Sequence, residues 1–169
     1  MENTLKLQAL SMRDSRTYLF TVLFVIGNVL FPQLCHLMPN GGHIWLPIYL
    51  FTLIGAYKFG FGVGLMTAIV SPLLNSAIFS MPGTASLPGI LMKSIILAIV
   101  AAGLAKHFKT LSLVAIALSV VLYQVLGSGA EFLYYGSFAA ATHDFTAGIP
   151  GMILQIFGGY AIIKYTTRN

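Results

Sequence analysis

The sequence predicts an all-α membrane protein: six transmembrane helices in one compact bundle, with both termini in the cytoplasm. Three observations lead there. The 169-residue chain is 57% hydrophobic and only 8% charged, with a mean hydropathy of +0.88. Apolar runs recur along it at about 20 residues, the length that crosses a bilayer. Eight of its nine Lys and Arg residues fall outside those runs and, for six spans, on a single face. The positive-inside rule makes that face cytoplasmic. Residues 1–16 form a polar tail, and 17–169 form the transmembrane domain. The tail carries mixed charge with Lys6, Arg13 and Arg16, and suits a tail or a helix on the membrane surface. The first apolar run opens near Tyr18 with no small-residue cleavage site after it, so it reads as a retained helix rather than a signal peptide.

The first span runs from about Thr17 to Met38, with a kink expected at Pro32, whose ring removes a backbone hydrogen bond. Pro39, Asn40, Gly41 and Gly42 make a loop. The second span starts near Trp45, with Pro47 in its first turn, where a missing N–H is harmless. It ends near Lys58, short enough to demand tilting or local thinning. The third, about Phe59 to Ser80, carries Gly60 and Gly64, a pair that permits close helix contact. The fourth, about Leu87 to His107, has a ridge of small residues at Ala98/Ala102 and Ala101/Ala105. The fifth covers about Thr110 to Leu126. The apolar, aromatic stretch Phe132–Ala141 that follows reads as a helical extension or a loop lying on the protein. The sixth, about Thr146 to Tyr165, has Pro150 in its first turns.

Lys58 then lies between spans two and three, Lys106 and Lys109 between four and five, and Lys164 and Arg168 at the end, on the same side as the tail. The three opposite loops hold no Lys or Arg. The ninth basic residue, Lys93, lies inside the fourth span. An ammonium in a bilayer is costly and by default faces a cavity, a partner or a substrate. A pocket-facing Lys93 would favour a ligand with a carboxylate, phosphate or other electron-rich oxygen, through a charge-assisted hydrogen bond. The competing reading is a structural ion pair with Glu131.

Other polar groups gather toward the outer half: Asn28 and Gln33 in the first span, Asn75 in the third, Gln124 and Glu131 at the outer end of the fifth, and Gln155 in the sixth. His36, His43, His143 and Asp144 sit in or beside outer loops. The inner half holds little beyond small hydroxyls, a pattern of a pocket open outward and closed toward the cytoplasm. Lys93, Asn75, Glu131, Gln124, Asn28, Trp45, His43 and Tyr134 are the candidate substrate-binding residues. Asn75, Gln124 and Gln155 serve interhelical hydrogen bonding equally well. Trp45, Tyr49, Tyr134 and Tyr135 suit a pocket lining, although for any one of them an interfacial aromatic belt is the better reading.

Several functions find no residues to carry them. The chain has no GxxxxGK[ST], hence no P-loop for ATP hydrolysis. It has no HExxH, no Ser/His/Asp grouping and no carboxylate in the inner half for proton coupling. No catalytic residue, cofactor or nucleic-acid partner is expected, since the +5 net charge reports topology. The single cysteine, Cys35, excludes an internal disulfide. Cys35-His36 is at most a weak metal-ligand signal, and no metal site is expected.

Three stretches carry a resemblance: HIWLP at His43–Pro47, KFGFGVGLMTAIVSPLLNS at Lys58–Ser76 and SMPGTASLPGILMK at Ser80–Lys93. With the size and span number, they resemble the substrate-binding S components of energy-coupling factor (ECF) transporters. These are six-helix proteins of the bacterial cytoplasmic membrane that capture vitamins from outside and work with a T component and two ATPase subunits. The resemblance implies capture of a small water-soluble vitamin or precursor, with ATP hydrolysis left to partner subunits. The first span departs from the family in having only Gly27 where relatives show an alanine ridge facing the T component. Met1-Glu2-Asn3 does not match the amino-terminal Met–His motif of the family's nickel and cobalt branch. The alternative class is a small structural or assembly subunit that docks a partner helix.

Overall fold

The structure, a computed structural model, describes residues 7 and 9–168, the side chains at 140 and 168 excepted. Lys6 and the start of the tail lie outside the described residues. The chain is helical: α1 (Ser15–Cys35), α2 (Gly41–Trp45), a 3-10 turn (Pro47–Tyr49), α3 (Leu50–Phe59), α4 (Phe61–Phe79), α5 (Leu87–Phe108), α6 (Leu113–Tyr135), α7 (Phe138–Ala147) and α8 (Ile149–Arg168). Among the described residues four helices, α1, α4, α5 and α6, are each long and apolar enough to cross a membrane. The pair α7–α8, bent by 65° at its break, passes the same test as one unit, for up to five spans. The outward face of α1 presents Leu19, Val22, Leu23, Ile26, Leu30 and Leu34, each at least half exposed. Such a face suits lipid, and the chain is a multi-pass membrane protein.

The expected second span differs most. Over Trp45–Lys58 a single helix is replaced by the end of α2, the 3-10 turn and the ten-residue α3. The break falls at Leu46, whose φ of 45° is left-handed. Its carbonyl accepts a hydrogen bond from Gln155 Nε2 at 3.3 Å, which holds the turn. α3 is buried on every residue but Phe51 and packs against α1, α4, α5 and α8. It is the centre of the bundle, and short because it starts beneath the cavity described below.

Close helix contacts are set by small residues. Gly60 alone joins α3 to α4, with φ 97°. One turn on, Gly64 lies so near Ala56 that a Cβ would overlap it, as the Gly60/Gly64 pair led us to expect. Ala98, Ala101 and Ala105 of α5 are buried, and α5 packs on α3, α4 and α6.

Proline positions are answered by side chains. Pro32 in α1 cannot donate to the carbonyl one turn back. That carbonyl, on Asn28, accepts instead from Asn75 Nδ2 at 2.8 Å. The Asn28 amide in turn donates to Thr52 Oγ1 (3.0 Å) and Ser71 Oγ (3.3 Å) and accepts from Phe51 N (3.3 Å). One buried asparagine thus ties α1 to α3 and α4. α6 runs nine residues beyond the expected Leu126 and stops at Gly136, φ 67°, so Glu131 lies in a helix. Beyond it, residues 138–147 form α7, where the sequence left a loop or extension open.

Candidate binding cavity

α5 and α6 carry the central pair. Lys93 is fully buried, and its Nζ lies 2.7 Å from Glu131 Oε2 and 2.9 Å from Asp144 Oδ2. Both carboxylates are largely buried, with side chains 10% and 16% exposed. A lone ammonium would be intolerable at such a site, whereas here it is paired with two carboxylate acceptors. Two glycines make it fit. A Cβ at Gly127 would stand 2.5 Å from Lys93 Cγ, and one at Gly89 would stand 2.6 Å from Glu131 Oε1. Each helix therefore leaves a gap for the other's charged side chain. Tyr135 completes the corner: its hydroxyl donates to Ala85 O at 2.8 Å and accepts from Gly89 N at 3.1 Å.

The second carboxylate oxygen of Asp144 faces away from the lysine. Nδ1 of His43 lies 3.3 Å from Oδ1 and Nδ1 of His143 lies 3.8 Å from it. The two imidazoles meet edge to face at 5.0 Å between centroids. The hydrogen bond that His43 donates to Asp144 pushes its pKa above the ordinary value, against partial burial and the Lys93 charge. His43 is delivered by α2 and the other two by α7. These elements are clamped through the first turn of α8. A Cβ at Gly148 would run into Leu46 and the Asp144 carbonyl, and one at Gly151 would meet the Trp45 backbone at 2.5 Å. Beneath them, the Gln155 amide that holds Leu46 also accepts from Tyr123 Oη at 3.0 Å.

This cluster forms one wall of a cavity of about 1030 Å³. The end of α1 with its following loop, the 3-10 turn, Asn75 of α4, the 81–86 loop and the end of α6 make the rest. Glu131 and Asp144 lie in the wall, with His36, His43 and His143, which are three of the four histidines in the chain. Lys93 is not in the wall. Its ammonium lies behind the two carboxylates, so the wall presents negative charge where the sequence led us to expect positive. No family model, no curated protein and no solved structure matches this chain.

The structure separates the sequence candidates. His43, Asn75 and Glu131 line the cavity. Lys93 acts through Glu131 and Asp144. Asn28 lies outside the wall as the interhelical tie already described. Trp45 lies outside it, with its backbone against Gly151. Tyr134 is 61% exposed and stacks edge to face on Tyr135; Tyr135, not Tyr134, reaches the wall. Gln124 is fully buried away from the wall, and neither end of its amide has a partner among the described residues. Absent from the candidate set are Asp144, His143, His36 and the glycines Gly89 and Gly127, together with Tyr49 and Tyr135, which the sequence suits to a pocket lining or to an aromatic belt. His143 and Asp144 are legible in the sequence only as polar groups beside an outer loop, and each glycine lies one turn before a charged residue of its own helix. Tyr49 is 1% exposed, lines the cavity, and its hydroxyl has no partner among the described residues.

Proposed function

We propose that the protein captures a small water-soluble molecule, a vitamin or vitamin precursor, as the substrate-binding S component of an ECF-type transporter. In this reading it sits in the bacterial cytoplasmic membrane as six spans with both termini cytoplasmic. α3 with its leading turn is the sixth traverse, sheltered inside the others. A T component and two ATPase subunits supply the energy, and the chain itself catalyses nothing. The observation that carries the proposal is the cavity of about 1030 Å³. Its volume is at the upper end of small-molecule sites, about 300–1,000 Å³, and it opens at one end of a helical bundle.

The charge pattern supports the orientation. The cavity end of each long helix faces a loop without Lys or Arg, and Lys58, Lys106, Lys109 and Lys164 lie toward the other. By the positive-inside rule, that pattern supports an opening that faces outward. The test is mass spectrometry of small molecules released from purified protein, followed by uptake into vesicles. A stoichiometric small molecule, and uptake only when ATPase and T-component partners are added, would support the proposal. Uptake by the isolated chain, or purified protein without bound or bindable solute, would overturn it in favour of an assembly subunit.

A further inference from the structure

We infer that His43, His143 and Asp144 form a binding site for a divalent transition-metal ion in the cavity wall. The inference names part of what the cavity captures and so rests on the capture reading. The donor atoms, two imidazole Nδ1 and one carboxylate oxygen, all lie within 4.8 Å of one another. A tetrahedral ion with bonds of about 2.0–2.1 Å holds its ligands roughly 3.3 Å apart. His43 Nδ1 already stands 3.3 Å from Asp144 Oδ1, and His143 Nδ1 is at 3.8 Å. A small rotation of the half-exposed His143 ring closes the set.

The second shell is already built. Lys93 holds Oδ2 of Asp144 at 2.9 Å and leaves Oδ1 turned toward the two rings. Such outer partners orient metal-binding carboxylates and histidines. The close packing of Gly148 on Leu46 and of Gly151 on Trp45 fixes α2 against the α7–α8 corner, so histidines 100 residues apart in sequence are held in register. The charge also fits. Glu131 and Asp144 carry two negative charges against the single positive charge of Lys93, and the surplus faces the cavity. Imidazole donors select Zn²⁺, Ni²⁺, Co²⁺ or Cu²⁺ over Mg²⁺ and Ca²⁺, which prefer all-oxygen sets. Three protein ligands leave the remaining positions open to the cavity, as in sites that exchange water for another ligand.

The experiment uses tag-free, chelator-stripped protein in detergent, titrated by calorimetry with Zn²⁺, Ni²⁺, Co²⁺ and, for contrast, Mg²⁺. One transition-metal ion per chain should bind, with Mg²⁺ inert, and Co²⁺ should show visible absorption from its new ligand field. His43→Gln and His143→Gln should each weaken binding by about 100-fold or more, since even losing an outer-shell partner costs 10–100-fold. Both side chains are more than half exposed, so the variants should melt like the parent. His107→Gln, at the other end of α5, should bind normally. Absence of saturable binding, or parent-like binding by the two histidine variants, overturns the site. Uptake of a metal-free solute by stripped protein with its partners would leave the capture reading standing while the metal site fell. Tight metal binding without any partner-dependent uptake would do the reverse.

Discussion

The stem of Lys93 occupies the space that a side chain at residue 127 would fill, with Cγ 2.5 Å from where that Cβ would stand. The relation is mirrored across the α5–α6 interface by Gly89 and the Glu131 carboxylate, at 2.6 Å. Each glycine lies one turn ahead of its own helix's charged residue, and together they let two charges meet between closely packed helices. Gly127→Ala and Gly89→Ala should each destabilise the bundle by about 1–3 kcal/mol, the usual result of overpacking. Gly83, with open space around it, is the control, and Gly83→Ala should melt like the parent in detergent.

The triad itself predicts a stability signature rather than a binding one. Lys93→Met leaves Glu131 and Asp144 facing each other without a cation. Removing one partner of a buried pair commonly costs about 3–5 kcal/mol. Glu131→Gln should cost less, because Asp144 still neutralises the lysine. The double variant Lys93→Met/Glu131→Gln should be more stable than the sum of the single losses, the mark of coupled neighbours. Thermal melts of the ligand-free protein measure all three. A parent-like melt for Lys93→Met would exclude the strut role.

Two buried groups without partners predict the opposite sign. The Gln124 amide and the Tyr49 hydroxyl make no hydrogen bond among the described residues. A buried polar group in that state costs about 1–3 kcal/mol, so Gln124→Leu should raise the melting point. Tyr49→Phe should leave the ligand-free melt unchanged or raise it. Because Tyr49 lines the cavity, a drop in solute affinity in that variant would identify its hydroxyl as a ligand contact.

These outcomes also show which parts of the molecule were legible beforehand. The boundaries of α4 and α5 follow from apolar length and from Gly60, Pro88 and the basic residues that end α5. The Lys93–Glu131 pair was one of two readings open from the sequence, and the structure contains it. Asp144 could not be read the same way. It lies 51 residues beyond Lys93, in a stretch whose short apolar run and flanking glycines look like a loop, and only the α7–α8 bend brings it back. The break at Leu46 was equally silent. No glycine marks the positive φ there, and the residue that stabilises it, Gln155, is 109 positions away. Local chemistry wrote the long helices, and tertiary contacts wrote the cavity wall.

The proposed topology predicts a labelling pattern. Gly83→Cys places a thiol in open space beside the cavity, and Lys106→Cys places one on the exposed surface at the other end. The native Cys35 is 5% exposed and should contribute little background. In intact cells a membrane-impermeant maleimide should modify Gly83→Cys and spare Lys106→Cys until the cells are lysed. The reverse pattern would invert the orientation, and with it the direction in which the cavity opens.

The central position of α3 bears on how the chain is made. Ten residues of helix reach about 15 Å, half the thickness of a hydrocarbon core of about 30 Å, so α3 is a poor candidate for independent insertion during synthesis. The single-residue link at Gly60 means that it enters as one arm of a hairpin, carried by the longer α4. Of its other neighbours, α1 precedes it in the chain, whereas α5 and α8 arrive later. Lys58, near the end of α3, donates to the carbonyl of Thr166 at 2.7 Å, an acceptor on α8 and 108 residues further along the chain. The middle of the protein is therefore completed only when α8 packs against it, and until then the ammonium of Lys58 lacks this acceptor.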